Sequence, residues 1–220
     1  MSDRTRIVLR PLASPLPLGL FAFALGSLVL GVSQLGAFGP TGGDPTVTVM
    51  LAAFVALPQL LAAVIAFLTR EATVATLLAL VGMSWPANVV VLALNPGAMS
   101  NAPRGVLYLG VATVLVLLGL SALAAKPFVG ALVLAAATRF LVNGVFDVTA
   151  IRWIEVVSGV ASLVAAALAG YLALAFALED SRHETVLPTG RRGAAARAFT
   201  SDLDSQLTAV AHEAGVRNQL

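Results

Sequence analysis

The chain has 220 residues, of which 59% are hydrophobic and 11% are charged, and its formal net charge is +2. Soluble domains are about half apolar and about a quarter charged, so this composition excludes a soluble globular protein. The small, scattered net charge excludes nucleic acid as a partner. The absence of cysteine excludes thiol catalysis, disulfides and thiolate metal sites.

Six apolar runs follow one another, separated by short polar loops. A helix needs about 20 apolar residues to cross the hydrocarbon core of a membrane. The first run follows several arginines, as a signal peptide would, but it is longer than a signal core and five more runs follow. The sequence therefore predicts an all-α polytopic membrane protein with six transmembrane helices, over residues 18–35, 46–68, 73–94, 105–124, 127–145 and 154–178.

The positions of Lys and Arg predict the orientation of these helices, because cytoplasmic loops carry an excess of both. With a cytoplasmic N-terminus, only Arg104 and Arg152 lie outside. The ten basic residues on the cytoplasmic side are then Arg4, Arg6, Arg10, Arg70, Lys126, Arg182, Arg191, Arg192, Arg197 and Arg217. We therefore predict a cell-membrane protein with a cytoplasmic segment 1–17, a transmembrane domain 18–178 and a cytoplasmic tail 179–220.

The last apolar run and the tail each carry a helical pattern. Small residues repeat at spacings of three and four along the sixth helix, which lets two backbones approach closely in lipid, within one protomer or between protomers. They are Ser158, Gly159, Ala161, Ser162, Ala165, Ala166, Ala169 and Gly170. In the tail, Ser201 and Asp204 are spaced as in a helix start, and Leu203 and Leu207 follow at helical spacing. We expect one short amphipathic helix or a solvated tail there.

No residue pattern supports catalysis in the membrane. Both histidines, His183 and His212, lie in the tail, no His-Glu-x-x-His motif is present, and no two carboxylates fall within the spans. We therefore predict no enzyme, no metal and no cofactor. The polar, proline and glycine residues within the helices suit a pathway for a small solute better than a reaction site.

Arg139 is the basic residue that falls inside a predicted span. A cation there costs at least about 2.5 to 3.5 kcal/mol by insertion scales, so it usually faces a protein interior or a water-filled path. Helical spacing places Asn143 one turn further on and Asp147 two turns on. This face predicts either a positive site that attracts a carboxylate into an apolar pore or a structural ion pair with Asp147.

Other polar and aromatic residues in the spans are weaker signals. Pro58 and Pro86 remove helical hydrogen bonds and predict local kinks that could line a cavity. Trp85 falls in mid-span, whereas Tyr108 and Trp153 lie nearer span ends, as interfacial aromatic residues do. We also place Gln59, Ser84, Asn88 and Thr138 within the spans, each of which is more often a packing residue than a solute ligand.

The first helix begins at a proline-rich run, in which Ser14, Pro15 and Pro17 precede Leu18, Gly19 and Leu20. Prolines fix an extended entry, so the amides of Leu18, Gly19 and Leu20 are expected to lack intrahelical acceptors. Free N–H groups at a positive helix end favour a carboxylate. An ordinary proline-punctuated helix cap accounts for the same residues.

This run, Ser-Pro-Leu-Pro-Leu-Gly-Leu, resembles the Asn-Pro-Ala-Pro-Leu-Gly-Leu signature of the acetate uptake transporter family, the acetate and succinate permeases of bacteria and fungi. Gln59 resembles the family's glutamine in helix two, and Ser84-Trp85 resembles its tryptophan in helix three. The resemblance continues at the start of helix four, with Tyr108-Leu109-Gly110, and after helix six, with residues 185–190, and so covers about residues 14–190.

The resemblance implies a six-helix protomer with its own pore, assembled as a hexamer in the lipid bilayer. Its cargo would be small monocarboxylates such as acetate, and sometimes succinate, moved with a proton as a symport or passively through a channel. The family constriction, carried over residue by residue, falls on Phe23, Val81 and Ala137. Val81 and Ala137 are smaller than the family's residues, so we expect a wider or differently shaped constriction.

The resulting hypothesis is a pathway for small carboxylates. The expected pathway residues are Leu18, Gly19, Leu20, Phe23, Gln59, Val81, Trp85, Asn88, Ala137, Thr138, Arg139 and Asn143. A hexameric channel for a neutral solute such as urea is the nearest alternative, since the family architecture is similar to that of urea channels. A membrane scaffold or sensor acting through the tail is a third, less favoured hypothesis.

Overall fold

The structure is a computed structural model and describes residues 12–38, 45–95, 100–182, 184–193 and 196. The described residues form six long helices and no strand. The helices are α1 (Leu16–Gln34), α2 (Pro45–Leu68), α3 (Ala72–Leu94), α4 (Ala102–Leu123), α5 (Pro127–Thr149) and α6 (Arg152–Arg182). The predicted N-terminal segment up to residue 11 and the predicted tail helix lie outside the described residues.

All six helices are long and apolar enough to cross a membrane, which confirms the six predicted spans. Successive helices run in opposite directions, so α1, α3 and α5 begin on the side where α6 ends. We call this the termini side, and the other the opposite side. The helix bounds differ from the predicted ones by more than two residues at three places, since α4 begins at Ala102, α5 continues past residue 145 to Thr149, and α6 continues past residue 178 to Arg182. Helix α1 begins before Pro17, at Leu16.

The two prolines inside spans have different effects on their helices. Pro86 lies within a continuous α3. In α2 a π-helical turn covers Ala52–Ala56, immediately before Leu57 and Pro58. The wider hydrogen-bonding pattern of a π-helix offers a carbonyl to the residue five positions on, which offsets the N–H that Pro58 lacks. The turn therefore accommodates the proline that precedes Gln59.

The small residues of α6 form a close contact with α1. Ser158, Gly159, Ser162, Ala165, Ala166 and Ala169 are buried. A methyl group added to Gly31 of α1 would lie 2.9 Å from the carbonyl oxygen of Gly159, and one added to Gly159 would lie 3.1 Å from that of Gly31. The face that we predicted from sequence therefore packs within the protomer, where small residues bring two helices into backbone contact.

Helices α4 and α5 meet in the same way near the opposite side. A methyl group on Gly105 would lie 2.9 Å from the carbonyl oxygen of Gly144, and one on Gly144 would lie 3.0 Å from that of Gly105. This contact places the first turn of α4 against the last turns of α5, where Asp147 lies.

We predict that Gly31→Ala destabilises the protein, because the new methyl group meets a carbonyl oxygen that cannot move without shifting α6. Overpacking of this kind costs about 1 to 3 kcal/mol. The measurement is the apparent melting temperature of the purified protein in detergent. The control is Gly110→Ala, since a methyl group there meets nothing within 4 Å. Equal melting temperatures for both variants would contradict the proposed contact.

Candidate functional site

A cavity of about 670 Å³, measured with its open mouth, lies on the termini side of the bundle. It reaches inward to Phe23, Gln59, Val81 and Ala136. Its other lining residues are Leu16, Leu20, Thr73, Val74, Leu77, Leu78, Leu118, Ala122, Val129, Leu132, Val133 and Phe176. The lining is therefore almost wholly apolar, with Gln59 and Thr73 as its polar members.

Helix α1 forms one wall of this cavity and carries Ser27 one turn deeper in the bundle. Leu16, Leu20, Phe23 and Ser27 recur at spacings of three and four, so they lie on one face of the helix. Phe23 lines the cavity and is buried. Ser27 lies one turn deeper, and its hydroxyl is fully buried.

The guanidinium of Arg139 lies just behind Phe23, in the middle of α5. Its side chain is buried, and its central carbon is 5.4 Å from the ring centre of Phe23, 5.1 Å from that of Trp85 and 4.4 Å from that of Phe140. Aromatic faces stabilise a nearby cation, more strongly where water is excluded. Arg139 also donates a long hydrogen bond of 3.5 Å to Ser27 Oγ. We call this arrangement the Arg139 cage.

Gln59 and Trp85 connect the cavity to the Arg139 cage. The indole N–H of Trp85 donates to Gln59 Oε1 at 2.9 Å, and both side chains are buried. The other end of the Gln59 amide, Nε2, is buried and has no hydrogen-bond partner among the residues that the structure describes. A buried donor without a partner costs free energy, which makes it a candidate contact for a solute in the cavity.

A second polar group lies beyond the Arg139 cage, toward the opposite side. Gln34 Nε2 donates to Asn143 Oδ1 at 3.3 Å, and Ser162 Oγ donates to Gln34 Oε1 at 3.3 Å. Asn143 is one turn after Arg139, as predicted. Polar side chains of α1, α5 and α6 therefore continue the line that begins at Ser27 and Arg139.

Asp147 is not the partner of Arg139. It is fully buried and pairs with Arg104 of α4, whose Nε lies 2.7 Å from Oδ2 and whose Nη2 lies 2.5 Å from Oδ1. The pair forms because α4 begins where α5 ends. The predicted spans leave Arg104 in the loop before the fourth helix. A lone base and a lone acid at facing ends of consecutive helices are nevertheless a signal for this ion pair.

Asn88 and Tyr108 extend this ion pair toward the Arg139 cage. Tyr108 donates its hydroxyl to Asn88 Oδ1 at 2.6 Å, and Arg104 Nη1 lies 3.5 Å from the same oxygen. The Tyr108 ring packs edge-on against Phe140, with ring centres 5.3 Å apart. Tyr108 is therefore a buried network residue and not the interfacial aromatic residue that its position near a span end predicted.

The proline-rich signature does not leave the amide of Gly19 free, which differs from our expectation for this residue. The amide of Gly19 donates to Pro15 O at 3.1 Å, because α1 already begins at Leu16. A methyl group on Gly19 would lie 2.8 Å from Leu78, so the glycine serves close packing against α3. Leu18 is exposed, and Ser14 is exposed beside a buried Pro15. The structure therefore favours a helix cap at this run over a carboxylate site.

Some of the remaining expected pathway residues line the cavity and others do not. Phe23, Gln59, Val81 and Leu20 line the cavity. Ala137 is buried but does not line it, and its neighbour Ala136 does. Thr138 lies on the exposed face of α5 and donates to Leu134 O at 3.0 Å, because residues one position apart on a helix point about 100° apart.

The chain that follows α6 folds back beside the mouth of the cavity. Arg191 pairs with Glu179, with Nη2 2.6 Å from Oε2, and its guanidinium carbon is 5.6 Å from the ring centre of Phe176, a cavity residue. The backbone N–H of Arg192 donates to Ala125 O at 2.9 Å.

Within the described residues, no group of His, Cys, Asp and Glu could hold a metal ion.

The chain is similar to a membrane channel of known structure. A solved structure described as that of the bacterial acetate channel SatP matches with a TM-score of 0.71 and 23% sequence identity, over 81% of this chain and 99% of that chain. No family model and no curated protein matches. The likeness shows that this chain has the fold of that channel, a multi-pass bundle of six membrane helices.

Arg104 and Asp147 form a buried ion pair in which each side chain compensates the charge of the other. Asp147→Asn leaves a half-buried guanidinium without its anion, and Arg104→Gln leaves a fully buried carboxylate without its cation. Removing one partner of a buried pair costs about 3 to 5 kcal/mol, whereas replacing both costs less. We expect each single variant to lower the apparent melting temperature and the double variant to lose less than the two losses together. Additive losses would show that the two residues do not act as a pair.

Proposed function

We propose that this protein is a pathway for small monocarboxylates such as acetate across the cytoplasmic membrane. The observation that carries the proposal is the apolar cavity that ends at Phe23 with the buried cation of Arg139 directly behind it. A carboxylate that leaves water needs a compensating positive charge, and Arg139 supplies one in the middle of the membrane helices. The fold shared with an acetate channel supports the same proposal.

The cavity and the Arg139 cage suggest how a carboxylate would be chosen. An apolar lining disfavours strongly hydrated ions, because it returns few of the contacts that they lose with water. A carboxylate with a short apolar tail places its methyl group against this lining. Phe23 lies at the inner end of the cavity, and Arg139 and Ser27 lie immediately beyond it.

We further propose that both termini lie in the cytoplasm, as the distribution of Lys and Arg predicts. The cavity on the termini side then faces the cytoplasm, and the pair of Arg104 and Asp147 lies near the outer surface. The hexamer, the coupled proton and succinate as a further cargo remain parts of this proposal that rest on the family resemblance.

A channel for a small neutral solute such as urea is the second candidate. One observation favours it, namely the unpaired Nε2 of Gln59 at the inner end of the cavity, since an amide N–H₂ can donate to the carbonyl of an uncharged solute. This candidate gives Arg139 no direct role in solute binding.

Uptake of labelled acetate into liposomes containing the purified protein tests the first proposal. We expect uptake above that of empty liposomes at acidic or neutral pH, and competition by other small carboxylates. Labelled urea in the same liposomes provides the comparison for the second candidate. Acetate uptake no greater than in empty liposomes at both pH values would refute the carboxylate pathway.

The variant Arg139→Gln separates the two candidates. It removes the charge and keeps a polar side chain, so acetate uptake should fall about tenfold or more, as for the loss of a charge-assisted contact. Urea flux through a neutral-solute channel should persist. The matched control is Arg182→Gln, which removes the same charge from the exposed end of α6 and should leave acetate uptake unchanged. Unchanged uptake in the Arg139 variant would exclude Arg139 from the pathway.

A further inference from the structure

Arg139 carries a buried charge for which the described part of the chain provides no anion. In that part, Asp147 pairs with Arg104 and Glu179 pairs with Arg191. Arginine keeps its charge in proteins, and a buried charge is normally paired. The missing element of the Arg139 cage is therefore a negative charge.

The geometry of the Arg139 cage leaves Arg139 able to bind an anion. A guanidinium is planar, with its N–H donors at its edge and its two faces free to stack on rings. Phe23, Trp85 and Phe140 supply the aromatic contacts, and Ser27 accepts a single hydrogen bond at 3.5 Å. The rings stabilise the charge but accept no in-plane hydrogen bond. Most of the five N–H donors therefore remain for an anion.

Gln59 adds a second donor next to the same ring system. The indole N–H of Trp85 requires an acceptor, so the hydrogen bond between Trp85 Nε1 and Gln59 Oε1 fixes which end of the amide is the oxygen. The N–H₂ end is left buried and unpaired on a residue that lines the cavity. Trp85 thus contacts both Gln59, which lines the cavity, and the cation behind it.

We infer that Gln59 and Arg139 form a binding site for weakly hydrated monovalent anions, including inorganic ones such as iodide and nitrate, and that carboxylates enter it as anions. The inference rests on the proposed pathway, because the site lies on it. It goes further in naming the charge state of the ligand and a class of inorganic ligands.

The surroundings of the site exclude divalent anions. One guanidinium compensates one negative charge, and the lining of the adjoining cavity is polar only at Gln59 and Thr73. A second charge on sulfate or on the succinate dianion would enter apolar surroundings without a partner. Succinate, if it is a further cargo, would therefore enter the site as its monoanion. Weakly hydrated monoanions lose the least on leaving water and are therefore bound best.

The fluorescence of Trp85 reports directly on this site. The chain has two tryptophans, and Trp153 is exposed, so Trp153→Phe leaves Trp85 as the reporter beside Arg139. The full-length Trp153→Phe protein in detergent is titrated with iodide, a quencher, with sodium sulfate keeping the ionic strength constant. We expect saturable quenching that acetate and nitrate reverse and that succinate at neutral pH does not.

Three further variants in the Trp153→Phe background test the donors. Arg139→Gln and Gln59→Glu should each raise the half-saturating iodide concentration about tenfold or more. Glu keeps the acceptor for Trp85 while replacing the donor with a negative charge. Arg139→Lys keeps the charge and should retain saturable quenching at a higher iodide concentration. Size-exclusion chromatography establishes that each variant is folded.

Quenching that rises linearly with iodide in the Trp153→Phe protein would overturn the inference. Saturable quenching would also overturn it if Arg139→Gln left the quenching unchanged, or if sulfate reversed it as well as nitrate does. If Arg139→Gln fails to fold, Arg139→Lys, Gln59→Glu and the comparison of nitrate with sulfate decide the question. Saturable quenching without acetate uptake in liposomes supports the anion site and refutes the proposed pathway. Acetate uptake together with linear quenching supports the proposed pathway and refutes the anion site.

Discussion

A positive charge held by three aromatic rings in the middle of a six-helix bundle is the constraint on which the rest of this structure depends. The side chain of Arg139 is buried in the middle of α5, and the rings of Phe23, Trp85 and Phe140 around its guanidinium come from α1, α3 and α5. Three helices must therefore keep their positions for the charge to be tolerated. The hydrogen bond of Trp85 to Gln59 extends the same requirement to α2.

The close helix contacts supply that fixed geometry. Glycines bring α1 against α6 and α4 against α5 to backbone distance, which leaves little freedom for sliding or rotation. The ion pair of Arg104 and Asp147 lies beside the second contact, and Tyr108 joins it to the ring of Phe140. The electrostatics of the opposite side and the aromatic cage are thus parts of one packed unit.

Much of this fold was predictable from the sequence, because length and apolarity alone determine where a helix can cross a membrane. The burial of Arg139 and Gln59 followed from the cost of polar groups in lipid. Their partners did not, because a partner is chosen by packing between helices. Asp147 illustrates this. Its spacing from Arg139 along α5 suggests an ion pair between the two, whereas the contact of α5 with α4 makes Arg104 the partner of Asp147. Thr138 shows the same limit, since a neighbour in sequence points away from the site.

The chain after α6 packs against the helix bundle and belongs to the same structural unit. Glu179 pairs with Arg191, Tyr171 donates to Pro188 O, and Arg192 donates to the loop before α5. Phe176, whose ring Arg191 faces, belongs to the cavity lining. The predicted boundary at residue 178 therefore divides an interaction that shapes the cavity mouth. A protein trimmed to its six helices would lack part of the rim of its own cavity, so the smallest unit worth reconstituting or grafting extends to about residue 193.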